Sequence, residues 1–438
     1  MRYWLKFLLL ACFVIFMASA VLRLVWGKDK LSKDKLGKDN LTVENGVIIK
    51  KFNWRLSPFD ILIEAEPPNG QRGIYAVRLI EPSNQDNDDE KPVKAKVDLI
   101  IPHGSRPRWS PKRHYVLFEW KGRIGVVDRN GVCVLQYGTM GGFPVYGWGP
   151  DDNTILIGAG RFTERAGREG LGFMTIWKKP WEIWTDRGLY EPGGIPAVYG
   201  ITFPHAKLPD DLWLGSPAMS PDHRMHAFEA FRPVPKLNYG RTYSKIYLVK
   251  WVEPPGETIK NHDWLPISRL TNLPDELWEI NPKWSPDGKW IAFEVIDNKA
   301  YKRRVYIASP EKGIVRPIPT LCQQRDKRFK HIYEDYQYSV LGWLSEKELL
   351  ISTEFLEPVR ETVTLWLFNL DKETLHCVFF GEPISFAVSY LMRSIATISD
   401  DGFGPVLKLT KIEENEGEAF EIEVEGFPKD MTVYWMDW

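Results

Sequence analysis

The chain's eight histidines and four cysteines are its natural metal ligands and nucleophiles, and their spacing limits the chemistry open to them. Cys12, Cys133, Cys322 and Cys377 form no C-x-x-C pair or comparable metal spacing, so buried, unpaired thiols are expected and a zinc site is not. His103, His205 and His331 lie far apart, and no H-E-x-x-H pattern is present. Imidazole ligation of a divalent metal therefore requires the fold to gather them. There is no Gly-rich phosphate loop and no G-x-S-x-G nucleophile elbow, and the chain ends without the α/β segment that would carry one, which argues against the serine-hydrolase class. The acidic run Asp86-Asn87-Asp88-Asp89-Glu90 lacks the spaced ligands and central glycine of an EF-hand and reads as a solvated loop. No cofactor is expected.

Charge gives no whole-molecule signal. Lys plus Arg number 57 and Asp plus Glu 58, so the net charge of −1 offers no reason to expect nucleic acid as a partner. The elements that must position any site come from composition and repetition. Aromatics make up 13% of the 438 residues, with 19 Trp, 34 Gly and 32 Pro, which favours many short strands broken by turns over long helices. Self-comparison then finds a repeat. Its clearest copy is Trp284-Ser285-Pro286-Asp287-Gly288 followed by Ile291-Ala292-Phe293. Related copies begin at Trp109, Trp148 and Met219, and weaker ones at Trp54, Trp343 and Phe386. The spacings between these positions, 55, 39, 71, 65, 59 and 43 residues, each suit one four-stranded unit with loops of varying length. In the turn, Pro presets its backbone angle, Asp bonds nearby amides and Gly supplies positive φ, while Trp offers a flat surface to bury between sheets.

These copies resemble the repeats of TolB-type β-propellers, whose WSPDG motif also occurs in the propeller domains of prolyl oligopeptidase-like peptidases. The resemblance spans roughly residues 53–438. It implies an all-β propeller of four-stranded blades over residues 46–438, with seven blades expected and six the alternative. Each inner strand should end at the aromatic residue, with 244–249 a third strand and 267–270 a fourth. The last strand, Thr432-Val433-Tyr434-Trp435-Met436-Asp437-Trp438, should close the ring against the blade from the other end of the chain.

With blades in place, the loops divide between two faces. Turns joining second to third strands, and blade to blade, share the face opposite the Pro-Asp-Gly turns. Four loops there carry twelve basic side chains against three acidic ones: Lys121 and Arg123; Arg161, Arg165 and Arg168; Arg232, Lys236 and Arg241; and Lys299, Lys302, Arg303 and Arg304. A fifth segment adds Arg325, Lys327, Arg328 and Lys330, and Tyr239, Tyr243 and Tyr301 are interleaved. Surface loops are commonly charged, and acids such as Asp275, Glu276 and Glu279 are available to pair with them. The sharper expectation is a basic mouth, centred on Arg232, Lys236, Tyr239, Arg241, Lys302, Arg303, Arg304, Arg325 and Arg328, that recruits a protein partner or an anionic glycan or lipid headgroup.

A binding or scaffolding role without catalysis follows. The alternative is a metal-dependent lyase acting on acidic oligosaccharides, since His103, His205 and His331 all fall in blade-to-blade segments at one end of the channel. His114, His223 and His226 fall on the Pro-Asp-Gly side.

Ahead of the ring, Arg2 and Lys6 precede an apolar run over residues 7–22, and Ala18-Ser19-Ala20 has the form of a signal-peptidase site. Residues 1–26 are expected to form an apolar helix serving as export signal or membrane anchor, with 27–45 a polar spacer. Arg23, Lys28, Lys30, Lys33, Lys35 and Lys38 follow the run and, by the positive-inside rule, favour a cytoplasmic side there, so the expected extracytoplasmic body meets an opposing signal. Leu9-Leu10-Ala11-Cys12 is a weak match to a lipoprotein cleavage box.

Overall fold

The computed structural model describes residues 41–44, 47–50, 54–80, 93–120, 123–138, 145–152, 154–162, 168–175, 212–233, 241–250, 267–300, 302–319, 336–355, 363–381, 383–413 and 419–438. The expected N-terminal apolar helix and most of the spacer lie outside them. Among the described residues every regular element is a strand, and no helix is long and apolar enough to cross a membrane. The chain divides into two compact units, Met1–Phe52 and Asn53–Trp438. In the first, β1 (Leu41–Glu44) pairs antiparallel with β2 (Val47–Lys50), a hairpin that straddles the expected boundary at residue 45.

The second unit begins with β3 (Ile61–Glu66), β4 (Gly73–Ile80) and β5 (Val93–Pro102). A four-stranded sheet follows: β6 (Gly104–Trp109), β7 (Tyr115–Trp120), β8 (Arg123–Asp128) and β9 (Cys133–Gly138). Next come the three strands β10 (Val145–Trp148), β11 (Thr154–Phe162) and β12 (Arg168–Thr175). Three more four-stranded sheets succeed them. The first holds β13 (Trp213–Met219), β14 (Met225–Pro233), β15 (Arg241–Lys250) and β16 (Ile267–Arg269). The second holds β17 (Leu277–Trp284), β18 (Ile291–Asp297), β19 (Lys302–Ser309) and β20 (Ile314–Pro317). The third holds β21 (Tyr336–Trp343), β22 (Glu348–Phe355), β23 (Val363–Asn369) and β24 (Thr374–Gly381). Last are β25 (Pro383–Ser389), β26 (Ser394–Asp400), β27 (Pro405–Ile412), β28 (Ala419–Glu425) and β29 (Thr432–Asp437).

Within each sheet, consecutive strands pair antiparallel. The exception in chain order is β29, which pairs with β3 as the first strand of a sheet completed by β4 and β5. Trp54 therefore does not end an inner strand as the repeat reading expected. That role falls to β29 and Trp438, and the Trp54 indole instead donates to Ile100 O at 2.8 Å. The edges of β28 and β5 also touch, parallel, at Val424↔Val93 and Glu425↔Lys94.

Second strands read as continuous apolar runs because both faces of each sheet are covered by neighbours. Ile61, Leu62 and Ile63, then Ile291, Ala292 and Phe293, then Leu349, Leu350 and Ile351, are all fully buried. Shared cores join β13–β16 to β17–β20, β17–β20 to β21–β24, β21–β24 to β25–β28, and β25–β28 to the sheet of β29 and β3–β5. This stacking is a propeller-like arrangement of four-stranded blades.

Two polar latches repeat between blades. Trp148, Trp284 and Trp343 donate their indole N–H to Arg108 O, Ala218 O and Lys283 O at 3.0, 3.1 and 3.1 Å. Each acceptor is the residue just before the corner residue of the preceding repeat. In the other direction, a second-strand glutamate reaches the next blade's inner strand where a register shift frees an amide: Glu64 Oε2 accepts Arg106 N at 3.0 Å and Glu294 Oε1 accepts Val340 N at 3.1 Å.

The Pro-Asp-Gly turns are structural. Ser285 Oγ donates to Asp287 Oδ1 at 2.6 Å, Trp290 N donates back to Ser285 Oγ at 3.0 Å, and Gly288 sits at φ +71°. Burial opposes ionisation of Asp287, but hydrogen bonds from Ser285 and Lys289 hold its carboxyl below the usual range. Ser220 and Asp222 repeat the pattern, with Ser220 Oγ donating to Asp222 Oδ1 at 2.7 Å.

Candidate functional site

On the basic loop face, the β18–β19 connection is held tight because Asp297 Oδ1 accepts the amides of Lys299 and Ala300 at 2.9 and 3.0 Å. Alternation along β19 then turns Lys302 and Arg304 to solvent and tucks Arg303 inward. Arg303 Nη1 donates to Ser339 Oγ on β21 at 2.8 Å and lies 3.7 Å from Glu294 Oε2. The expectation that all three residues present free charge is therefore corrected: Arg303 ties one blade to the next, and Glu294 offsets its charge. Burial pushes the Glu294 carboxyl above its usual range, against hydrogen bonds from Asn281 and Val340 and the attraction of Arg303.

Arg232, also exposed, stands opposite Tyr243 in the β14–β15 register, its guanidinium carbon 5.6 Å from the ring centroid. Arg241 begins β15. Lys236, Tyr239, Arg325 and Arg328 lie outside the described residues, as do His205 and His331. His103 sits on the short β5–β6 connection, exposed, at φ 60° and beside the Gln71 amide. Among the described residues no group of three His, Cys, Asp or Glu side chains could hold a metal ion. Cys377 is a free, half-buried thiol.

Acids expected to neutralise the loop face are engaged elsewhere. Glu279 is fully buried with Lys245, Oε1 to Nζ 3.0 Å, and also accepts from Thr271. Asp275 pairs with Arg269 at 2.9 Å.

A second group of charges was not expected from sequence. Arg108 on β6, Lys283 on β17 and Asp437 on β29 all occupy the position before a corner residue, facing the space the inner strands enclose. Asp437 Oδ2 accepts Trp109 N at 2.6 Å. Burial pushes its carboxyl up to about 6, against that bond and the attraction of Arg113 and Arg108. Arg113 replaces the turn glycine, at φ 57°, and its guanidinium donates to Pro58 O at 2.8 Å and Ser389 Oγ at 3.0 Å on two other turns. The signal available in the sequence was the residue preceding each repeat's corner, which is charged in these three copies and Gly or Ala in the other four.

No protein-family model matches the chain. A protein of Sulfurisphaera tokodaii described as a Tricorn-like protease N-terminal subunit is 29% identical over 110 residues, 25% of this chain and 50% of that protein. The chain thus spans about half the length of the curated relative it matches. Among solved structures, a TolB from Agrobacterium tumefaciens is similar at 16% identity, over 65% of this chain and 84% of that one, with a TM-score of 0.39. An oligogalacturonate lyase in complex with manganese is similar at 10% identity, over 82% and 83%, with a TM-score of 0.49. A prolyl endopeptidase is similar at 11% identity, over 87% of this chain and 51% of that one, with a TM-score of 0.49.

Proposed function

We propose that residues 53–438 form a closed ring of seven blades that acts as a binding module without catalysis, recruiting an acidic segment of a protein partner at its basic loop face. The apolar run over residues 7–22 supports a body that is exported or membrane-tethered. The seven-blade count is supported by β29 completing the sheet of β3–β5, with β10–β12 as the remaining blade.

One observation carries the binding reading. Lys302 and Arg304 are exposed at the rim, and among the described residues neither has an ion-pair partner, whereas Arg72, Arg269, Arg303 and Arg393 are each matched to a carboxylate. Unmatched cations on a rigid strand attract an acidic surface at long range and set its orientation on contact.

Affinity capture with the full-length protein, compared with Lys302→Glu/Arg304→Glu, is the test. A captured protein whose acidic segment binds the purified wild type directly, and which the variant loses, supports the reading. Equal capture by both contradicts it. Binding to acidic glycan or anionic vesicles in place of protein changes the partner class, and turnover of oligogalacturonate with manganese replaces the reading with the lyase.

A further inference from the structure

Arg108, Lys283 and Asp437 come from β6, β17 and β29, and the equivalent positions on the other inner strands are Gly147, Ala218, Gly342 and Ala387. Small residues leave space beside the long ones: a Cβ on Gly147 would lie 3.3 Å from Arg108 Nη1. Lys283 and Arg108 repel one another although β17 and β6 belong to sheets separated by two others in the chain. Side chains so placed meet only across the enclosed space. Among the described residues Lys283 has no hydrogen bond or ion pair; burial holds its ammonium below the usual range, with Glu294 opposing in part. Trp435, two residues before Asp437 and partly exposed, lies with its ring centroid 5.8 Å from the Arg108 guanidinium carbon. On the Pro-Asp-Gly side, the Tyr390 hydroxyl reaches over to Leu341 O at 3.4 Å.

We propose that the space between β6, β17 and β29 binds a small organic carboxylate, held between Arg108 and Lys283 with its carbon body against Trp435. An anion there relieves the repulsion between two enclosed cations and replaces hydration that both have lost. Arginine offers a planar fork to a carboxylate, lysine a point charge, and the indole a surface for the apolar part. Asp437 on the same level repels a densely charged anion, which favours a carboxylate over phosphate.

The test uses the full-length protein in detergent. Acetylation of the Lys283 amine by acetic anhydride is followed by mass spectrometry with succinate, galacturonate or inorganic phosphate present at equal ionic strength. Protection of Lys283 by at least one carboxylate, and less by phosphate, is expected. Calorimetric titration with the protecting carboxylate should weaken about tenfold in Lys283→Met, the loss of one charge-assisted contact, and remain unchanged in Lys302→Glu/Arg304→Glu. An acetylation rate unmoved by either carboxylate at millimolar concentration overturns the site. So does a Lys283→Met variant that binds as wild type, and protection by phosphate equal to that by carboxylate overturns the ligand class.

Discussion

Lys245 Nζ and Glu279 Oε1 meet with both side chains fully buried, and the ammonium also donates to Leu273 O and Pro274 O at 3.1 and 2.7 Å. The pair joins β15 to the start of the next blade, so removing one member strands a charge at a blade interface. Lys245→Met should cost about 3–5 kcal/mol of unfolding free energy. Lys245→Met with Glu279→Leu should cost less than the single change, and denaturant unfolding of both reads the difference. His226, on β14, is titratable and buried. Burial drops its imidazole to about 3, with the nearby His223 adding to the effect. The folded state thus binds the proton less readily than the unfolded chain, whose histidine titrates near 6.5. Stability from the neutral form is complete above about pH 6.5 and is lost as pH falls toward about 3. His226→Gln, which cannot charge, should lower the slope of stability against pH in that window by up to about 1.4 kcal/mol per unit. The same slope in variant and wild type would contradict this assignment.

At the scale of the element, the blade corner was legible because its chemistry is local. Ser285, Asp287 and Gly288 close a turn among themselves, and Ile291, Ala292 and Phe293 announce a strand buried on both faces. The Trp indole acts between blades, where Trp343 binds Lys283 O. Trp343→Phe keeps most of the buried ring and removes that bond, so a loss of about 1 kcal/mol is expected in thermal or denaturant unfolding. What local reading missed depends on partners far away in the chain. Trp54 has the right neighbours for an inner strand's end, but β3 finds its inner partner in β29, with Asp437 opposite Leu62. Arg303 looked like a free loop cation because Ser339, which fixes it, lies on the next blade. Arg108, Lys283 and Asp437 carry no shared motif, and only the ring brings them together.

For the whole molecule, the last strand closes the second unit. β29 supplies the inner strand beside β3, its Asp437 accepts from Trp109 in the following blade, and Trp438 Nε1 donates to Phe59 O at 3.0 Å. Removing residues 432–438 should expose one side of β3, make residues 54–80 sensitive to limited proteolysis and broaden the unfolding transition. An unchanged digestion pattern would argue against closure by that strand. With the polar groups of the blades largely committed to latches and turns, the account locates recognition at the rim. The most direct measurement titrates the full-length protein with a glutamate-rich peptide, in wild type and in Lys302→Glu/Arg304→Glu, at about 50 and about 200 mM salt. Saturable binding that weakens with salt and falls about tenfold in the variant is the expected result. Equal affinity of the two proteins, or binding indifferent to salt, would contradict it.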